Sequence, residues 1–442
     1  MTNNADVPVA ETSAQPRTAS PAEMRRILAS SFMGSAIEYY DFLLYAMAAA
    51  LVFGPLFFAG SSPGVATFAS FGTLAVGYFA RPLGGVIFGH FGDLVGRKTV
   101  LVISMLMMGV GTVAIGLLPG SAQIGMLAPI LLVVLRIVQG LALGGEWGGA
   151  VLMALEHAPD RKRGFAASFA NMGGPVGVLS ATLLFSAMTM LPRAQFLAWG
   201  WRIPFLLSAL LIAVGLVIRL KVSESPLFQE LEAKVEQRKT PVVELFVHSP
   251  RALLLGFLAA MSIFTLSGMV TVWAVSFAVQ NGANQTGVLN AKAIGAVGAL
   301  LTIILGARLS DRFGRRPVLL AGVGAAVLSA LPIVWLTSTG TVVGYGAAVI
   351  LGQLCQGLII GPFGAYVAEL FPTRLRYTGA SVAYQGAGAI AGGLTPMAAT
   401  GVLLLTGGNI LVLGIAWMAT LLISGLAVLL SREGRDKDLR RI

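Results

Sequence analysis

Gly92-Asp93-Leu94-Val95-Gly96-Arg97-Lys98 is written a second time in this chain, as Ser310-Asp311-Arg312-Phe313-Gly314-Arg315-Arg316. Each copy reads D-x-x-G-R followed by Lys or Arg, and each interrupts a long apolar run. A second set recurs at one constant offset: Glu156, Pro159, Arg161, Arg163, Ala167 and Ser168 return as Glu369, Pro372, Arg374, Arg376, Ala380 and Ser381. A third pair is Gln139-Gly140-Leu141 and Gln356-Gly357-Leu358. Three matched landmarks in the same order identify a duplicated chain.

The duplicated unit is a membrane unit. Of 442 residues, 56% are hydrophobic and 11% charged, with a mean hydropathy of +0.83. A soluble domain carries about 25% charged residues. Apolar runs of about 20 residues cross a bilayer. They fall near 27–58, 64–89, 99–118, 124–155, 164–190, 201–221, 251–280, 286–307, 317–336, 341–369, 377–405 and 409–431. The polar stretch 222–250 separates six runs from six and reads as a linker with a short surface helix. The expected fold is an all-α membrane protein of twelve transmembrane helices in two pseudo-symmetric six-helix bundles, 27–221 and 251–431. Residues 1–26 read as a disordered tail and 432–442 as a basic one.

The net charge of +11 raises the question of nucleic acid. Its distribution answers no. Of the 30 Lys and Arg, Arg193, Arg202 and Lys292 read onto one side of the membrane and Arg81 and Arg136 within it; the rest read onto the other side. That asymmetry follows the positive-inside rule and places both termini in the cytoplasm. The lone Cys355 leaves no internal disulfide, and His90, His157 and His248 are too scattered for a metal site. No P-loop and no Ser/His/Asp set is present, so neither ATP drive nor hydrolysis is expected, and no cofactor.

Charges inside the spans carry the chemistry. Ser35-Ala36-Ile37-Glu38-Tyr39-Tyr40-Asp41-Phe42-Leu43-Leu44-Tyr45 puts two acids on one helical face. With Arg81, Arg136 and Glu146 they make three acids and two bases, all in the first half. An acid at mid-membrane is disfavoured by roughly 2.5–3.5 kcal/mol and marks an ion or proton path. Depth at about 1.5 Å per residue suggests Asp41 paired with Arg136, and Arg81 with Glu146 or Glu38. One acid is then left over to exchange protons. Tyr45, Trp273, Ser276, Gln353, Gln356, Tyr366, Tyr384 and Gln385 are the polar or aromatic candidates for solute contact. Duplicated halves with a site between them are the plan of secondary transporters.

The motifs resemble those of the major facilitator superfamily over essentially the whole chain. The Asp93 loop and its Asp311 copy resemble its loop signature, and Arg136-Ile137-Val138-Gln139-Gly140 its fourth-helix motif. More narrowly, Ile37 to Phe42, Arg81-Pro82-Leu83-Gly84-Gly85, Gly144-Gly145-Glu146-Trp147 and Ser223 to Phe228 resemble the metabolite:proton symporter family. That resemblance implies a bacterial inner-membrane protein that takes up a small metabolite with a proton, as a monomer in the lipid bilayer. It implies Asp41, Glu38 and Arg136 as coupling residues. It implies Asp93, Arg97, Asp311 and Arg315 as a gating latch; the residues themselves offer Tyr45, Arg81, Arg136, Glu146, Trp273, Gln353, Tyr384 and Gln385 for substrate contact. A proton-coupled exporter and an uncoupled facilitator share these motifs and stand as alternatives.

Overall fold

The computed structural model describes residues 21–60, 63–159, 162–221 and 241–435. Most of the expected tails and linker therefore lie outside the described residues. The described part is built from twelve helical rods, with no strand among the described residues. They are α1 (Pro21–Ala48), α2 (Pro63–Val95), α3 (Arg97–Leu117), α4 (Leu127–His157), α5 (Arg163–Thr189) and α6 (Arg202–Leu220). The second half supplies α7 (Pro250–Ser267), α8 (Gln285–Phe313), α9 (Arg315–Ser338), α10 (Val342–Glu369), α11 (Arg376–Ala387) and α12 (Ile410–Leu430).

Among the described residues, α3 to α12 supply ten candidate spans by length and hydropathy. The other two rods are 28 and 33 residues long. At 1.5 Å per residue both exceed the roughly 30 Å hydrocarbon core. α1 starts at Pro21, ahead of the expected boundary at 27, so the first turns are helical where a disordered tail is expected. Pro241–His248 forms a short helix at the end of the linker.

π-turns interrupt several rods. Ala49–Phe53 extends α1, Gly268–Trp273 extends α7, and Gly388–Gly392 extends α11 into Gly393–Leu405. A π-turn widens a helix and leaves backbone groups to be satisfied elsewhere, a feature frequent at functional sites.

The repeated loop has a conformational reason. Gly96 and Gly314 both adopt φ near 103°, where a Cβ is strained, and each ends one rod and starts the next. Close helix crossings come from other glycines. A Cβ at Gly144 would strike Gly84 and Gly85 of α2, and one at Gly361 would strike Ile303 and Ala307 of α8. α2 against α4 and α8 against α10 are thus equivalent pairs in the two halves. In a bilayer, where lipid is as apolar as leucine, such backbone approach is the source of helix packing.

The halves meet chiefly toward the end that carries the repeated loops. A Cβ at Gly89 of α2 would lie 2.8 Å from Thr378 Cα of α11. Gly364 of α10 faces Val151 of α4, and α5 packs along both α8 and α10.

Candidate functional site

A buried charge set lies in the first half. Asp41 is 3% exposed, Glu38 7%, Arg81 8%, Arg136 1% and Glu146 1%, in a chain whose other buried side chains are mostly apolar. Sequence depth alone pairs these residues differently from the structure. Glu146 forms its ion pair with Arg219 of α6, which also donates to the Leu101 carbonyl at 2.6 Å. Arg219 sits one residue from the end of α6 and reads as an ordinary loop-side arginine. It is in fact 3% exposed, so the set holds three acids and three bases. Gly34 leaves room for this pair, since a Cβ there would lie 2.8 Å from Glu146 Oε1.

Asp41 and Arg136 are joined through two neutral side chains rather than by direct contact. Thr112 Oγ1 of α3 donates to Asp41 Oδ2 at 2.7 Å. Gln139 Nε2 donates to Thr112 Oγ1 at 2.8 Å, and Arg136 Nη1 donates to Gln139 Oε1 at 3.3 Å. Among the described residues, Asp41 Oδ1 and Arg136 Nε and Nη2 have no hydrogen-bond partner.

Aromatic rings hold both arginines. The Arg136 guanidinium lies 4.1 Å from the Tyr45 ring centroid and 5.6 Å from that of Phe42. Arg81 lies 5.0 Å from Phe42 and 4.5 Å from Tyr78, so Phe42 stands between the two cations. The Tyr45 hydroxyl donates to Thr73 Oγ1 at 2.6 Å, which fixes the ring under Arg136. A desolvated cation over an aromatic face gains up to about 2 kcal/mol. Arg81 has neither of its expected carboxylate partners and relies on these rings; its Nε has no hydrogen-bond partner among the described residues. A Cβ at Gly77 would come within 3.0 Å of Arg136 Cδ, so glycine there makes space for the arginine.

The second half contributes chiefly neutral groups. Tyr384 of α11 stacks on Trp147 of α4 across the halves, with centroids 3.6 Å apart and planes 8° from parallel. Phe363 and Phe264 flank it, at 6.0 and 4.8 Å. Trp147 Nε1 donates to Asn171 Oδ1 at 2.8 Å, and Asn171 Nδ2 donates to the Ile360 carbonyl at 3.1 Å. Gln385 Nε2 donates to the Leu143 carbonyl at 3.2 Å and so ties the halves together in this conformation. Trp273 stacks on Phe277, and Gln353 Nε2 donates to the Lys292 carbonyl at 3.4 Å. Gln356 donates to the Ile263 carbonyl and Tyr366 is buried in the core; the Ser276 side chain lies outside the described residues.

Lys292, which sequence reading assigns to the side opposite the basic loops, lies near the start of a span. It sits seven residues into α8, and its Nζ donates to Thr271 O, a carbonyl of the α7 π-turn, at 3.2 Å. Trp147, Asn171, Thr112 and Arg219 are the site neighbours that sequence reading passes over. Trp147 alone had a signal, as the last residue of the Gly144–Trp147 motif.

The repeated loop builds a second charge set. Asp311 accepts from Gly164 N and Phe165 N, both at 2.8 Å, at the start of α5 in the other half. Arg315 Nη1 donates to Asp311 Oδ1 at 2.6 Å and its Nε to Glu369 Oε1 at 3.3 Å. Arg376 of α11 pairs with Glu156 of α4 at 3.6 Å, again across the halves. The Asp93 and Arg97 side chains lie outside the described residues.

Twelve spans in two related halves, glycine-cut crossings and a buried charge set between helices define a multi-pass membrane transporter. The chain belongs to the Major Facilitator Superfamily, whose family model matches residues 27–396. It is a transporter and not an enzyme. It is 40% identical to the inner membrane metabolite transport protein YhjE of Escherichia coli (strain K12), over 94% of this chain and 95% of that one. It is 38% identical to the shikimate transporter of the same organism, over 95% and 97%, and 34% identical to its proline/betaine transporter, over 85% and 77%. Among solved structures the fold matches the proton:xylose symporter XylE with a TM-score of 0.78 at 16% identity, covering 95% of this chain and 98% of that one.

Proposed function

We propose that this protein takes up a small organic acid or zwitterion together with a proton, by alternating access. One observation carries the reading: Asp41 and Arg136 are buried within the membrane helices, close but not in contact, each with polar atoms left unpartnered. A carboxylate held this way can accept a proton without first breaking an ion pair. The spare guanidinium donors of Arg136 and Arg81 suit a carboxylate, for which Arg geometry is matched. The shikimate transporter and the proline/betaine transporter among the relatives carry solutes of that class. XylE is a proton symporter on the same fold.

Orientation follows from charge. The repeated loops are the basic ones, which assigns them and both termini to the cytoplasm of a bacterial inner membrane. The conformation described is then the one closed toward the cytoplasm. Asp311 and Arg315 act as a latch of that state, with Asp93 and Arg97 as its counterpart in the first half. Glu38 lies on the helical face of Asp41 and serves as a second proton site. Tyr384, Trp273, Gln353 and Gln385 supply neutral contacts once the halves rock apart, and Tyr45 and Glu146 keep the arginines of the site in place.

The test is uptake into proteoliposomes with an inward-acid pH gradient, using radiolabelled shikimate, 2-oxoglutarate, proline and glycine betaine. Accumulation above equilibrium that collapses with a protonophore is the expected result. Uptake indifferent to the gradient identifies a facilitator. Movement only against the inward proton gradient identifies an exporter. Asp41→Asn is expected to abolish accumulation and retain counterflow.

A further inference from the structure

The Thr112 hydroxyl has more partners than protons. Its oxygen lies 2.7 Å from Asp41 Oδ2, 3.0 Å from the Met108 carbonyl and 2.8 Å from Gln139 Nε2. A hydroxyl donates one hydrogen and accepts two. The Gln139 amide is a donor, so it always takes one acceptor site. The single hydrogen of Thr112 must then choose between Asp41 and Met108. All four side chains are nearly sealed: Thr112 is 0% exposed, Gln139 2%, Asp41 3% and Arg136 1%.

We infer that Thr112 and Gln139 are positioning residues of proton coupling, with the Thr112 hydroxyl switching between Asp41 and the Met108 carbonyl as Asp41 gains or loses a proton. The inference rests on Asp41 being the proton carrier of the proposed symport. With Asp41 ionised, Thr112 donates to Oδ2 and accepts from Gln139. When a proton from the aqueous side arrives at the unpartnered Oδ1 and the carboxyl turns that oxygen toward Thr112, the carboxyl becomes the donor. Thr112 then accepts from both Asp41 and Gln139 and turns its own hydrogen to Met108 O. Every polar atom of the hydroxyl is satisfied in both states, and the one proton gained by Asp41 is the one later released. Gln139 Oε1 stays on Arg136 Nη1 throughout, so the arginine keeps its place while its charge partner is neutralised. The two neutral side chains also hold Asp41 and Arg136 apart. A direct ion pair would favour the charged acid and resist protonation.

Arg136 and Glu146 on α4 act on Asp41 electrostatically. α2 carries Tyr78 and Arg81, with His90 and Asp93 toward its end, and α1 itself carries Glu38, Tyr39, Tyr40 and Tyr45, with Glu23, Arg25 and Arg26 at its start. α3, α5 and α6 bear charge only near their ends, at Arg97, Lys98, Arg163, Arg202 and Arg219. None of these touches the Thr112 hydroxyl among the described residues.

The experiment uses the full chain in lipid, and its first readout needs no substrate. The infrared band of the protonated carboxyl is titrated, with the Asp41 component assigned by its loss in Asp41→Asn. Thr112→Val, which keeps shape and removes the hydroxyl, is expected to move the midpoint to higher pH by about one unit, the size set by loss of one charge-assisted hydrogen bond. Thr112→Ser is expected to restore it. In proteoliposomes the alkaline limb of gradient-driven uptake of the accumulated panel compound should move likewise. A Thr112→Val midpoint equal to wild type, in protein that remains monodisperse, overturns the switch and leaves the symport reading intact. If wild type shows no titrating Asp41 band, the switch falls, and the symport reading then stands or falls on gradient-driven accumulation alone.

Discussion

Arg136 shows why residue identity matters more than charge here. Its guanidinium lies over the Tyr45 ring, 4.1 Å from the centroid, and donates to Gln139. Lysine keeps the charge and loses the plane. Arg136→Lys is therefore expected to lower uptake at least about tenfold without loss of folded protein, the equivalent of about 1.4 kcal/mol. Transport by Arg136→Lys equal to wild type would remove the ring-held guanidinium from the mechanism. The Glu146–Arg219 pair is expected to behave differently. Removing one partner strands a buried charge, which destabilises by about 3–5 kcal/mol, whereas replacing both by apolar residues is far milder. Glu146→Met alone should melt well below wild type in detergent, and Glu146→Met with Arg219→Met should recover most of the loss. Equal melting of the single and double variants would show that the pair is not a closed unit.

Among the elements, side-chain caps at helix starts are of two kinds. α8, α10 and α12 are capped from their own sequence by Asn284, Thr341 and Asn409, which accept from Gly287 N, Gly344 N, and Leu411 N with Val412 N. These caps follow the usual Asn/Thr signature and are legible in advance. α5 and α9 have no local side-chain cap. Asp311 caps α5 from the other half, and Glu433 caps α9 by accepting from Arg315 N and Arg316 N at 3.0 and 2.9 Å. Burial alone would raise the Glu433 carboxyl, but the backbone N–H groups of Arg316, Arg315, Arg435 and Gly434 outweigh it and hold it below the usual carboxylate range. A lowered folded value means that the stabilisation is present above the ordinary carboxylate pKa and is lost as pH falls through the folded one. The cap should thus persist at neutral pH and fail only in strong acid. Glu433→Ala should weaken α9 by about 1 kcal/mol and lower the melting midpoint by roughly 1–2 °C. It should also speed proteolysis beyond Leu430, because Arg435 Nη1 on the Arg312 carbonyl docks the same segment. An unchanged cleavage rate would show that the docking does not depend on this carboxylate.

For the whole molecule, closure on the loop side rests on contacts between halves: Asp311 on α5, Glu156 with Arg376, and Tyr384 on Trp147. Ser381 is fully buried there, next to Gly85 and Gly148. In a Cys355→Ala background, Ser381→Cys should resist a membrane-impermeant maleimide. Adding Asp311→Asn should raise its labelling several-fold, because the bonds from Gly164 N and Phe165 N to Asp311 are weakened without touching position 381. Labelling that stays slow would mean that packing between α2, α4 and α11 alone keeps this face shut.

The sequence by itself determined the class of this molecule. Hydropathy fixes the spans, because backbone groups in lipid must be satisfied within each helix. Repeated landmarks reveal the duplication, and the two glycines at 96 and 314 mark the tight loop because only that residue is unstrained there. It also named the charges, since a charge in an apolar run stands out. Their partners were settled only by the tertiary structure. Arg219 looked like a loop residue until α4 and α6 brought it beside Glu146. Asp41 and Arg136 looked like an ion pair until α3 placed Thr112 between them. Depth along a helix is a one-dimensional quantity that linear order supplies. Which neighbour a buried charge meets depends on the rotation and crossing of several helices, set by glycine contacts spread over the whole chain.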